Sequence, residues 1–198
     1  MKIEKKVLDK LKKLRNDANS VWELSKVAEK CCSLKIKSKS KKVKKVLKEL
    51  FDNRLELDNV LRFFVIDLIS YGNCFVYLKI DKDKGITDCT IMPVTEIFRE
   101  EGHDGKIDSV RFKWDVKDKY FEEWELAHFR TLIGTYRLPY GTSLLESKKF
   151  IPEHLQSAEI KFLQKEVLRG LTKIANIHLY FLGYDGDGID NFKLSFEK

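Results

Sequence analysis

Asn59-Val-Leu-Arg-Phe-Phe-Val-Ile-Asp-Leu-Ile-Ser-Tyr71, Gly72, then Asn73-Cys-Phe-Val-Tyr-Leu-Lys-Ile80 is the stretch on which the fold turns. Its first half carries Val60, Leu61, Phe63, Phe64, Val65, Ile66, Leu68 and Ile69. That leaves almost no polar face, so the segment reads as a core helix that Asp58 can cap. Gly72 suits a left-handed exit from it. The β-branched and aromatic run Cys74–Ile80, the turn Asp81-Lys-Asp-Lys-Gly85 and the returning run Ile86–Met92 then predict a hairpin. Further along, Pro93–Phe98 breaks and restarts the run, and Gly102-His-Asp-Gly105 turns again. Val110, Phe112 and Trp114 alternate with Arg111 and Lys113, and after a turn at Asp115–Lys119 the segment Tyr120–Arg130 is extended once more. An antiparallel meander packed on the core helix, an α+β arrangement, is the expected result.

Upstream, Ile3, Val7, Leu11 and Leu14 recur at helical spacing, and Ser20-Val-Trp-Glu23 has the form of a capping box for a second helix reaching about Lys30. Val21, Leu24, Val27 and Cys31 would be its buried face. Val43, Val46, Leu47, Leu50 and Phe51 predict a third helix over Lys41–Asp52. Downstream of Thr142, apolar residues recur among lysines and glutamates, and Pro152 suits a first-turn position. A short helix, a kink and a second, protruding helix to about Arg169 follow, with Gly170 weakening its end. Ile177–Leu182 reads as a strand, and with Phe192–Phe196 it would make a short terminal strand pair. The division expected is a lysine-rich helical region over 1–53, an α+β domain over 54–140, a long helix over 141–176 and a terminal β element over 177–198.

A chain of 198 residues, 43% of them hydrophobic, can bury one real core. No apolar run approaches the roughly 20 residues that cross a bilayer, and Met1-Lys-Ile-Glu-Lys-Lys lacks the apolar centre of a signal peptide, so an intracellular product is expected. Cys31, Cys32, Cys74 and Cys89 show no ligand spacing and read as reduced thiols. The net charge of +7 is concentrated at Lys35, Lys37, Lys39, Lys41, Lys42, Lys44, Lys45 and Lys48, a stretch without an acidic residue. Such a run can hold a polyanion by counterion release, or can simply be a solvated face.

Recognisable catalytic chemistry is thin. Gly102-His-Asp-Gly-Lys106 is too short for a phosphate-cradling loop and is followed by Ile107. His103, His128, His154 and His178 stand far apart and in no metal-ligand grouping. Asp185, Asp187 and Asp190 have the alternating oxygens of a calcium loop, yet the twelfth position counted from Asp185 is Phe196 rather than glutamate. A glycine-rich turn is the reading there. Glu96, Glu100, Glu101, Glu122, Glu123 and Glu125 carry no spacing that demands a nuclease-type metal site. No enzyme activity, cofactor, metal or small-molecule substrate is expected.

Four elements in order carry a resemblance: Tyr71-Gly-Asn-Cys-Phe-Val-Tyr77, Met92-Pro-Val-Thr-Glu-Ile97, His128-Phe-Arg130, and Pro139-Tyr-Gly-Thr-Ser-Leu-Leu-Glu-Ser147 with a helix after it. Together they resemble the portal proteins of tailed bacteriophages, over roughly Asp58–Phe181. The resemblance implies a non-enzymatic structural virion protein forming a homo-oligomeric ring, typically of about twelve subunits, at the capsid vertex. Double-stranded DNA would pass through it non-specifically during packaging and ejection. Its partners would be the capsid, the terminase and the neck or tail, and it would reside in the virion and, during assembly, in the host cytoplasm.

On that likeness, residues 54–140 resemble the wing, the helix from Thr142 to Arg169 the first stem helix, and Ile177–Phe196 the start of the clip. Leu155, Phe162, Leu163 and Val167 would then lie between subunits. Lys41, Lys42, Lys44, Lys45, Lys148, Lys149, Lys161 and Lys165 would face the channel or another polyanion. A portal's remaining clip, returning stem helix and crown have no counterpart in these residues, so the chain is read as a fragment, a split-gene product or a minimal relative. The alternative is a nucleic-acid-binding accessory protein using the Lys35–Lys48 run.

Overall fold

The computed structural model describes residues 25–31, 33–100, 111–114, 117, 119–121, 124–130, 157–184 and 192–196. The expected helix over 2–15, the Ser20 capping box, the Pro139–Ser147 segment and the Pro152 kink lie outside the described residues.

The fold is α+β, with helices laid on antiparallel sheet. The core helix, here α2 (Leu57–Tyr71), follows α1 (Lys41–Lys48) and a π-helical turn (Glu49–Arg54). Ser40 caps α1, its hydroxyl accepting from the Val43 N–H at 3.3 Å. The expected third helix widens after Lys48, where the Leu55 N–H reaches the Leu50 carbonyl five residues back. Within the widened turn Leu50 and Phe51 are both buried. Asp58 is not the cap of α2: Glu56 occupies that position in a left-handed conformation (φ 42°), and Asp58 lies in the first turn, where its charge suits the helix dipole. Gly72 leaves α2 at φ 69°, as expected.

Strands β2 (Asn73–Asp81) and β3 (Gly85–Met92) form the expected hairpin, turned by Asp81, whose carboxylate accepts from the N–H groups of Asp83 (2.9 Å) and Lys84 (3.0 Å). Those two bonds, with Lys84 nearby, hold the Asp81 pKa below its ordinary value. After a 3₁₀ turn (Val94–Glu96) come β4 (Ile97–Glu100), β5 (Arg111–Trp114), β6 (Lys119–Phe121) and β7 (Leu126–Arg130). These do not form one continuous meander. β4, β5 and β6 make a separate sheet, while β7 returns to the free edge of β2, giving the order β3-β2-β7.

Residues directly opposite in an antiparallel pair share a face. Cys74, Val76, Ala127 and Phe129 therefore line the side of β2 and β7 that meets the helices, and the Phe129 ring lies 5.5 Å from that of Phe64 of α2, tilted by 51°. Tyr77 and Leu126 occupy the opposite side, where the Tyr77 ring meets Phe121 of β6 at 5.8 Å. Covered on both sides, Cys74, Phe75 and Val76 are all buried.

The last helix, α3 (Ser157–Phe181), differs from expectation in two respects. Gly170 does not end it, and Ile177–Phe181 continues it rather than forming a strand. A short apolar run has the same composition in a buried helix as in a strand. Nor does the described part of α3 protrude: Leu163, Val167, Leu171, Ile174, Ala175 and Leu179 all enter the core, and the helix packs on β7, β3 and β8. The terminal strand pair is present with a different partner. β8 (Phe192–Phe196) pairs with β1 (Leu34–Ser38), inside the lysine-rich stretch that precedes α1.

Candidate functional site

β1 alternates strictly. Leu34, Ile36 and Ser38 are half-buried while Lys35 and Lys37 are exposed, a consequence of the two-residue period of a strand lying with one face on a core. β8 repeats the pattern, with Leu194 buried and Lys193 exposed. The register sets Lys35 opposite Ser195 and Lys37 directly opposite Lys193, so the outer face of this two-stranded ribbon is Lys35, Lys37, Lys193 and Ser195. Lys39 and Ser40 then lead into α1, which buries Val43 and Leu47 and leaves Lys41, Lys42, Lys44, Lys45 and Lys48 exposed. Lys42 lies 5.5 Å from the Tyr184 ring centre, and Lys48 pairs with Asp52 at 3.9 Å.

The four α1 lysines singled out from the sequence are thus exposed, and they follow closely in the chain on the exposed lysines of β1, which ends at Ser38. Lys193 was missed, because its place depends on a pairing between segments more than 150 residues apart; the signal available was the alternation in Phe192-Lys-Leu-Ser-Phe196. Lys161 and Lys165 are exposed on α3, whereas Lys148 and Lys149 lie outside the described residues.

The expected subunit interface is corrected. Leu163 is 2% exposed and Val167 is fully buried within this chain's own core, so neither is free to meet a second copy. Phe162 is half-buried, and Leu155 lies outside the described residues.

The remaining candidate chemistry is structural where it is described. The Trp114 indole N–H donates to Glu96 at 3.0 Å, and the Lys119 ammonium lies 3.5 Å from Glu125. His178 is buried, and its Nδ1 accepts the Ile86 N–H at 2.9 Å. Burial, followed by the nearby Arg54 guanidinium, lowers its pKa to about 4. Arg54 itself donates to the carbonyls of Lys84 (2.7 Å) and Ile86 (3.2 Å), so the π turn, the β2–β3 hairpin and α3 meet at one point. Cys31, Cys74 and Cys89 take part in no disulfide, and burial together with Asp88 pushes the Cys89 thiol up to about 11. Among the described residues no group of three or more His, Cys, Asp or Glu could hold a metal ion, and no helix is long and apolar enough to cross a membrane. His103, His154, Asp185, Asp187 and Asp190 lie outside the described residues.

Compared with protein-family models and with curated proteins, the chain matches none.

Proposed function

We propose that this chain is a structural, portal-type subunit of a tailed-bacteriophage virion, contributing a wing-like body to a ring at the capsid vertex through which DNA is packaged and ejected. The observation that supports the reading is the adjacency of two of its sequence elements. The strand that starts at Asn73, just after Tyr71-Gly72, and the strand that ends in His128-Phe-Arg130 are hydrogen-bonded neighbours, with Asn73 opposite Arg130 and Cys74 opposite Phe129. These two elements, which resemble one family in order along the chain, thus belong to one folded unit. The capsid, the terminase and the neck or tail are its partners in this reading, in the virion and in the host cytoplasm during assembly.

The test is the native mass of the purified chain by mass photometry, with particle images. A closed ring of about a dozen copies is expected, and a chain that stays monomeric at micromolar concentration overturns the reading. Phe162→Asp, which charges a half-buried position on α3 beside the core residues, is expected to abolish the ring while circular dichroism remains that of a folded α+β protein.

A further inference from the structure

The outer face of the β1–β8 ribbon contains an arrangement that folding alone disfavours. Lys37 and Lys193 are directly opposite across the pair, where side chains begin about 5 Å apart and like charges destabilise the sheet. Both are exposed, and neither has a carboxylate partner among the described residues. A chain selected only for a stable ribbon would place a carboxylate opposite one of them. Lys39 and the exposed lysines of α1 follow β1 directly in the chain, and Val43 and Leu47 anchor that helix on the core.

We propose that Lys37 and Lys193, with Lys39, Lys41, Lys44 and Lys45, form a docking face for the phosphate backbone of duplex nucleic acid. Lysine is a point charge that binds phosphate without reading bases, so the face grips any sequence. Its ribbon half carries no aromatic side chain on which an unpaired base could stack, which favours a duplex over a single strand. It also offers no apolar side chain to insert between lipid headgroups, which disfavours a membrane surface. A bound phosphate would neutralise the Lys37–Lys193 repulsion that the free protein carries. The inference is independent of ring formation, since every residue in it belongs to one chain.

The experiment measures anisotropy of a labelled 25-bp duplex, a single strand of equal length and phosphatidylserine vesicles against the full-length chain, at several salt concentrations. Lys37→Gln/Lys193→Gln is expected to weaken duplex binding roughly tenfold and to reduce the slope of log K against log salt by about two. The same variant is expected to melt at or above the temperature of the wild type, because it removes a like-charge pair. Lys82→Gln/Lys173→Gln, an equal loss of charge at exposed positions in the β2–β3 turn and on α3, is expected to change little. Equal losses in both variants would reduce the effect to net charge and overturn the proposal. So would Lys193→Gln alone leaving affinity unchanged, tighter binding of the single strand, or binding to vesicles without binding to duplex. Ring formation without duplex binding would overturn this proposal and leave the portal reading standing, and duplex binding by a monomer would do the reverse.

Discussion

Gly170 lies in the middle of α3, where alanine would ordinarily be the better residue by about 1 kcal/mol. Here the comparison reverses. The edge of the Phe129 ring lies against the glycine backbone, and a methyl group at that position would overlap the ring. Phe129 cannot retreat, because it is fully buried and packed on Phe64. An overlap this deep falls in the upper part of the range for overpacking, about 2–3 kcal/mol, against a gain of about 1 kcal/mol in helix propensity. Gly170→Ala is therefore expected to destabilise the chain by about 1–2 kcal/mol in urea unfolding. Phe129→Leu in the same chain should recover part of that loss; additive losses would show that the close approach is not the reason for the glycine.

At the scale of elements, His178 joins helix to sheet. Its Nδ1 holds the Ile86 N–H just after Gly85, and Gly85 itself, at φ 70°, has no room for a Cβ, which would fall 2.6 Å from Nδ1. The folded chain keeps this imidazole neutral down to about pH 4, against an ordinary value of 6.5. As pH falls below about 6.5 the unfolded chain takes up a proton that the folded chain refuses. Stability present above that pH is accordingly lost step by step until about pH 4, by on the order of 3 kcal/mol. His178→Asn, whose amide oxygen can accept the same N–H, should flatten that decline in denaturant midpoints measured between pH 7 and pH 4; an unchanged slope would assign it to other groups. The same scale explains what was legible in the sequence. α2, its exit at Gly72 and the β2–β3 hairpin were readable because their signals are local: an unbroken apolar face, a glycine, a turn. β1 was not, since Lys35 and Lys37 carry no β propensity of their own and the strand exists through its partner β8. Ile177–Leu182 reads as a strand in the sequence because six residues are too few to separate the two periods. Lys193 and the burial of Leu163 and Val167 depend on tertiary packing, which no local pattern contains.

For the whole molecule, the β1–β8 pair closes the described fold, joining residues 34–38 to residues 192–196 and packing β8 on α3. Leu194, opposite Ile36, is the residue of β8 that enters the core, at 6% exposure. Because β1 leads within two residues into α1, loosening the ribbon also loosens the support under Val43 and Leu47. Leu194→Ala is thus expected to cost about 2–3 kcal/mol, the lower part of the range for a buried leucine, since the site lies at the rim of the core. In a chain of 198 residues that corresponds to a fall in melting temperature of about 5–10 °C. If the ribbon folds as one unit with the rest, near- and far-ultraviolet circular dichroism should report the same shifted transition. An early transition confined to one probe would mean that the ribbon opens before the core, and the duplex-binding face would then be lost at a lower temperature than the α2–β2 body.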